Sequence, residues 1–156
     1  MIKLVPLEKE NYDFYIKDEI QRYADEKVKA GTWHAEEAIN NSKDVFDDLL
    51  PEGQETKQHY FMSIQSVDTK ESEGYIWYHF NPENPQKEAF IYNFYIIENA
   101  RDKGKGSIAL QELEEHVRQQ GAAKLSLHVF AHNHRAVHLY EKMKFRTTDI
   151  MMSKDL

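Results

Sequence analysis

Residues 89–107, AFIYNFYIIENARDKGKGS, form the stretch of this sequence that decides its fold. Residues 89–97 are rich in aromatic and β-branched side chains, which predicts a strand. From residue 104 to residue 120 apolar side chains recur with the helical period, which predicts a helix. A strand that enters a helix through a glycine-rich turn brings unpaired N–H groups and partial positive charge together. The stretch therefore predicts an anion site suited to a phosphate.

The turn within this stretch has its own chemistry. Gly104 and Gly106 let the backbone approach a phosphate closely. Two well-known phosphate motifs do not fit, because G-x-x-x-x-G-K-[ST] is absent and the dinucleotide fingerprint needs a parallel βαβ unit. Here several strands expected to be antiparallel precede the turn, and Ala109 occupies the third glycine position. Three basic side chains add positive charge: Arg101, Lys103 and Lys105.

The remaining pattern predicts one domain over residues 1–156. It is an α/β domain of the α+β type, with a mixed, mostly antiparallel sheet flanked by helices. The predicted order is β-α-α-β-β-β-α-β-α-β. The predicted strands are 1–5, 59–67, 74–80, 89–97, 124–130 and 145–152, and the predicted helices are 8–29, 34–50, 104–120 and 135–143.

Composition limits the class of protein. A hydrophobic fraction of 40% and an aromatic fraction of 12% in 156 residues predict a folded domain with a real core. The sequence has no cysteine, which excludes disulfides, thiolate catalysis and Cys-ligated metal. It also has no apolar run of membrane-spanning length and no signal-peptide pattern at residues 1–6. We therefore expect a cytoplasmic protein with no membrane partner.

The net charge of -7 is unevenly distributed. Residues 1–56 hold 7 Lys/Arg and 14 Asp/Glu, whereas residues 57–156 hold 13 of each. An acidic chain lacks the basic footprint that nucleic acid binding needs, so we expect no nucleic acid partner. The acidic first third is interpreted either as a solvated helical face or as an electrostatic attraction for a cationic partner such as an amine.

Two motifs together resemble a known family. The pattern R-x-x-G-x-G at residues 101–106 resembles the acetyl-CoA signature of the GNAT acetyltransferase superfamily. Residues 133–145 match that family's N-x-x-A-x-x-L-Y-E-K-x-G-F, except that Lys144 stands in place of the glycine. We expect this departure to alter only the turn after the last helix. The resemblance implies an acetyl-CoA-dependent N-acetyltransferase that acts by direct attack in a ternary complex. We also expect no metal cofactor.

The resemblance also implies a cofactor site. The glycine segment would hold the pyrophosphate, and the preceding strand would pair its backbone with the pantetheine arm. Ile96, five residues before the signature arginine, would lie beside the thioester through its backbone. The residues carried over to the cofactor site are Ile96, Arg101, Asp102, Lys103, Gly104, Lys105, Gly106, Ser107 and Asn133.

Acetyl transfer to an amine needs an acid for the leaving thiolate and a base for the amine. By the resemblance, Tyr140 is the acid, since a phenol with a pKa of about 10 stays protonated at neutral pH; packing in the helix is the alternative. His128 is the candidate base, with a structural strand histidine as the alternative. Glu88 competes with it by acting through water. Asn93 stands where many relatives carry an acidic residue, and an amide cannot act as a base.

Two further groups have weaker signals. His134 and His138 share a helix face at a spacing that can bind zinc, but no third ligand is evident, so surface histidines are the simpler interpretation. Trp33 and His34, between the first two helices, line either the acceptor site or a packing contact.

Some questions about function stay open in the sequence. The acceptor is a small cationic amine or an amine of a peptide or protein. A non-catalytic module that binds coenzyme A or a protein through the same fold is the alternative to an enzyme. The sequence also leaves open whether the chain forms a homodimer.

Overall fold

The computed structural model describes residues 1–101 and 103–156. Within them the chain forms a five-stranded sheet and four α-helices. The predicted fold class is confirmed: a mixed, mostly antiparallel sheet flanked by helices. The elements in chain order are β1 (Ile2–Pro6), α1 (Lys9–Lys29), α2 (Ala35–Leu49), β2 (His59–Ser66), β3 (Ser72–Phe80), β4 (Glu88–Ile96), α3 (Lys105–Gln119), β5 (Lys124–Leu127) and α4 (His134–Lys142).

The last two strands of the sheet, β4 and β5, pair along only part of their length. Its strand order is β1-β2-β3-β4-β5, and every pairing is antiparallel except that of β4 with β5. These two strands are parallel because α3 supplies the crossover between them. They pair from Glu88↔Lys124 to Ile91↔Leu127, where β5 ends while β4 continues to Ile96. We call the space between residues 92–96 and residues 128–133 the opening.

Helices cover both faces of the sheet. Alternate side chains of β3 point to opposite faces, so Ile76 and Tyr78 pack with Leu110 of α3 while Trp77 packs with Phe46 of α2. Trp77 is 2% exposed and Tyr78 is fully buried, so both layers bury large aromatic area. The sheet is therefore fixed between α3 on one face and the α1–α2 pair on the other.

The predicted last strand is wrong. Residues 145–152 form no strand, and Ile150, Met151 and Met152 are 75%, 98% and 89% exposed. The sequence there has four polar residues followed by three apolar ones, without the alternation of a half-buried strand. Only Phe145 is anchored, with its ring 5.6 Å from that of Tyr140. The strand after α3 is also shorter than predicted and ends at Leu127.

The turn after α4 shows what replacing the family's glycine does. The N–H of Lys144 donates to the carbonyl of Glu141, and the N–H of Phe145 donates to that of Tyr140, the two bonds of a Schellman cap. Lys144 has a φ of 74°, in the left-handed region that favours glycine.

We expect Lys144→Gly to raise the free energy of unfolding by roughly 0.5–1 kcal/mol, since the left-handed cost of an L-residue exceeds the entropic cost of glycine. Urea denaturation followed by circular dichroism measures the change. Lys142→Gly, inside the last helical turn, is the control and should lower stability by about 1 kcal/mol. A loss of stability in Lys144→Gly would contradict the left-handed conformation.

Candidate active site

The glycine segment follows β4 after one short turn and opens α3. Gly104 caps the helix with a left-handed φ of 73°, and the first helical bond runs from the N–H of Ile108 to the Gly104 carbonyl. The N–H groups of residues 105–107 therefore precede the first intrahelical bond. Lys105, Gly106 and Ser107 thus offer a positive helix terminus with donors for an anion.

Three residues of the segment also have structural contacts. Arg101 donates from Nε to the Ile96 carbonyl at 2.8 Å, so it holds the end of β4. Lys105 forms an ion pair with Glu73 of β3, with Nζ 2.5 Å from Oε1. A Cβ on Gly106 would lie 3.1 Å from Cδ2 of Leu139, so this glycine lets α3 approach α4. Lys103 is exposed, and Asp102 lies outside the described residues.

Tyr140 lies on α4 beside the same segment. Its ring is 6.4 Å from that of Phe94, in the part of β4 that does not pair with β5, and its neighbour Leu139 contacts Gly106. Burial raises the pKa of Tyr140 to about 12. The phenol therefore keeps its proton at neutral pH and can donate it. Asn133 caps α4, with Oδ1 accepting from the N–H of Ala136 at 3.2 Å.

His128 follows β5 directly and lies at the opening. Its ring is 4.9 Å from that of Phe130 in an edge-on arrangement. Burial first, and the charge of Lys27 second, lower the pKa of His128. The imidazole is therefore neutral at pH 7 and can accept a proton.

Glu88 lies at the start of β4, where β4 is paired with β5. It accepts a hydrogen bond from Oγ of Ser126 at 2.7 Å, and Nζ of Lys124 is 3.6 Å from Oε2. Eight residue-to-residue steps along β4 separate it from Ile96, about 26 Å at ~3.3 Å per residue. The structure therefore does not bring Glu88 together with Ile96 and the glycine segment.

Helix α1 supplies residues that the sequence did not single out. Tyr15 donates from its hydroxyl to Oδ1 of Asn93 at 2.7 Å, and Arg22 stacks over Tyr95 with Cζ 4.3 Å from the ring centroid. Glu19 lies between them in sequence and is 7% exposed. One feature of the sequence could have identified Glu19. It lies on the inward face of α1 with Tyr15, where an apolar side chain is expected.

The two residues between the first helices have packing and capping contacts. The Trp33 ring meets that of Tyr23 edge-on at 5.7 Å, and Nζ of Lys27 lies 5.4 Å from the Trp33 ring. His34 and Glu37 form a capping box at the start of α2.

One histidine of the chain after β5 pairs with a carboxylate of α1. His132 pairs with Glu26 of α1, with Nε2 2.5 Å from Oε2. Across residues 1–101 and 103–156, no group of three or more His, Asp or Glu side chains could hold a metal ion. In the same residues no helix is both long and apolar enough to span a membrane.

Comparison with known proteins agrees with this geometry. The model of the Acetyltransferase (GNAT) family matches residues 23–145. An uncharacterized N-acetyltransferase of Bacillus subtilis, YycN, is 48% identical over 155 residues, 99% of each chain. A second from the same organism, YdgE, is 40% identical over 153 residues, 98% of this chain and 97% of the relative.

Solved structures show the same likeness. The crystal structure of the putative acetyltransferase YycN from Bacillus subtilis has a TM-score of 0.96 at 47% identity and covers 100% of this chain and 99% of its own. A putative acetyl transferase from Pyrococcus furiosus shares the fold, with a TM-score of 0.66 at 23% identity and full coverage of both chains. The chain therefore belongs to the GNAT family of acetyltransferases.

Proposed function

We propose that this protein transfers the acetyl group of acetyl-CoA to a primary amine by direct attack in a ternary complex. The proposal rests on one observation: three features suited to binding the acetyl donor or protonating its thiolate border the same opening. The edge of β4 beyond Ile91 has no pairing with β5. The α3 terminus lies against that stretch at Gly106, where an added Cβ would lie 4.0 Å from Cε1 of Phe94, and the Tyr140 ring lies 6.4 Å from the Phe94 ring.

The residues present fit acetyl-CoA. Arg101, Lys103 and the N–H groups of residues 105–107 would hold the pyrophosphate, a dianion that suits a helix terminus. The edge of β4 left open beyond Ile91 on the β5 side would pair with the amides of the pantetheine arm, as a strand edge pairs with another chain. Lys105 enters this site already paired with Glu73, so part of its charge is neutralised. Asn133 would act through its cap on α4.

The chemistry follows from two side chains at the opening. The neutral imidazole of His128 takes a proton from the acceptor ammonium, and the freed amine attacks the acetyl carbon. As the carbon–sulfur bond breaks, the Tyr140 hydroxyl gives its proton to the thiolate. Tyr140 regains a proton from the new amide nitrogen. No enzyme-bound acyl group forms, in agreement with a chain that has no cysteine.

A thiol-release assay tests the function. The chain contributes no thiol of its own, so a thiol reagent reports only coenzyme A. The panel is polyamines, amino acids, aminoglycosides and peptides, with acetyl-CoA binding followed separately by calorimetry. We expect thiol release with at least one amine. Tight binding of acetyl-CoA without release by any amine would instead identify a non-catalytic binding module.

A further inference from the structure

Helix α1 crosses the opening and contacts both of its sides. On the β4 side, Tyr15 bonds to Asn93. On the side of the chain that follows β5, Glu26 pairs with His132. Glu19 lies between Tyr15 and Glu26 on α1, about 6 Å along the axis from the first and about 10 Å from the second at ~1.5 Å per residue. These three residues share one stripe of the helix, so Glu19 faces the opening.

The side chain of Arg22, which is itself fixed against Tyr95, holds Glu19 in place. Arg22 donates from Nε to Oε1 of Glu19 at 3.0 Å, and its guanidinium stacks on Tyr95 of β4. Arg101 also lies over Tyr95, with Cζ 5.2 Å from the ring centroid. Glu19 thus has one oxygen bonded to Arg22 and a fixed side-chain direction next to the end of β4.

A carboxylate at this position is costly for folding. Burial raises the pKa of Glu19 to about 7, even though the charge and hydrogen bond of Arg22 lower it. A buried ion pair is on average no more stabilising than apolar side chains of similar volume. The other titratable groups facing Glu19 are Glu26 and Tyr15 of α1, and the Tyr75 ring of β3 lies 5.1 Å from that of Tyr15. Stability alone therefore does not account for an acidic residue here.

We propose that Glu19 is the residue that binds the acceptor, its carboxylate receiving the ammonium group of a protonated primary amine on the α1 side of the opening. This inference rests on the proposed function and names its acceptor class. The acidic excess of residues 1–56 would raise the local concentration of such an acceptor.

The pH dependence expected of KM for the amine follows from the charge of Glu19. The carboxylate is ionised above about pH 7 and loses its charge as the pH falls through that value. An ammonium binds only the ionised form well, so KM for a cationic amine should rise as the pH falls from 8 to 6. In the proposed site acetyl-CoA would be bound by the glycine segment and the edge of β4 and not by Glu19, so its KM should not follow this change.

The experiment compares Glu19→Gln with wild type on two acceptors of different charge. With an aliphatic amine that is protonated at pH 7.5, we expect KM to rise about tenfold, the effect of losing one charge-assisted contact. With hydroxylamine, which is neutral at that pH, KM should change less than about twofold because no ammonium is bound. Glu10→Gln, an exposed carboxylate of the same helix, is the matched control and should behave as wild type.

The outcomes separate a binding role from a structural one. Equal losses with both acceptors would show that Glu19 only supports the fold, and an unchanged KM would also overturn the proposal. Glu19→Gln should be at least as stable as wild type at pH 8, because the raised pKa of Glu19, with the effect of Arg22 included, makes the ionised side chain less favourable in the folded protein than a neutral one. If His128→Asn alone abolishes the pH dependence of KM, the dependence belongs to His128 and not to Glu19.

A second measurement does not need turnover. Calorimetry follows spermidine binding to the coenzyme A-loaded protein, in wild type and in Glu19→Gln. Spermidine binding that is lost in the variant supports the site even if no thiol is released, which would contradict only the proposed function. Equal binding by the two proteins, or no binding by either, would overturn the role of Glu19.

Discussion

Tyr140→Phe is expected to lower kcat at least about tenfold while leaving the Kd for acetyl-CoA nearly unchanged, because an acid in the transition state contributes to turnover and not to donor binding. Tyr140 is half-buried on α4 and the pKa of its phenol is raised to about 12, so it holds its proton through the neutral range. Phenylalanine keeps the ring that packs against Phe94 and removes only the hydroxyl. Steady-state thiol release and calorimetry measure the two constants.

Two controls make this result specific. Tyr92→Phe changes a tyrosine of the same strand as Phe94 that is 38% exposed, and it should leave kcat unchanged. In wild type, kcat should show no loss due to Tyr140 up to about pH 9, since deprotonation of this phenol begins well above that pH. A Tyr140→Phe variant with wild-type kcat would remove Tyr140 from the acid role.

Gly74→Ala is expected to lower the free energy of unfolding by about 3 kcal/mol, the upper range for overpacking. A Cβ at this position would lie 2.3 Å from the carbonyl oxygen of Tyr95 and 3.2 Å from Cα of Ile96. Both neighbours are backbone, so β3 and β4 would have to separate. The change would also move the end of β4, where we place the thioester.

Gly106→Ala is the matched comparison, with the same added methyl group. Its Cβ would lie 3.1 Å from Cδ2 of Leu139, a side-chain methyl that can shift by a few tenths of an ångström. We expect a cost below about 1 kcal/mol, measured by urea denaturation alongside Gly74→Ala. Equal costs for the two variants would contradict the close approach of the strands at Gly74.

Most of the fold could be predicted because its elements have strong local periods. The long helix α1 and the aromatic strands β2, β3 and β4 each carry many residues with one pattern, and their bounds were within two residues of the structure. The segment after Phe145 has no such period, and its β-branched and apolar residues alone suggested a strand. Its apolar residues are instead exposed, because no edge of the sheet pairs with it among the described residues.

In the candidate site, too, some residues could be predicted from the sequence and others could not. The glycine segment and Tyr140 could be predicted because each belongs to a motif that is local in the chain. The contacts of α1 could not, since they depend on packing between distant residues: Tyr15 and Asn93 are 78 positions apart, and Glu26 and His132 are 106 apart. Glu88 shows the reverse case: it belongs to the strand that leads into the motif, but it lies at the end of that strand far from the glycine segment.

Because α1 crosses the opening, the two substrates would be bound by residues from different parts of the sequence. The donor would be recognised by residues after Glu88, and the acceptor by a helix that ends at Lys29. Substitutions in that one helix can then exchange one amine for another while the acetyl-transferring machinery is inherited unchanged. With Glu19 as the acceptor's ligand, related proteins that differ at this position should differ in the amine they use and agree in the donor.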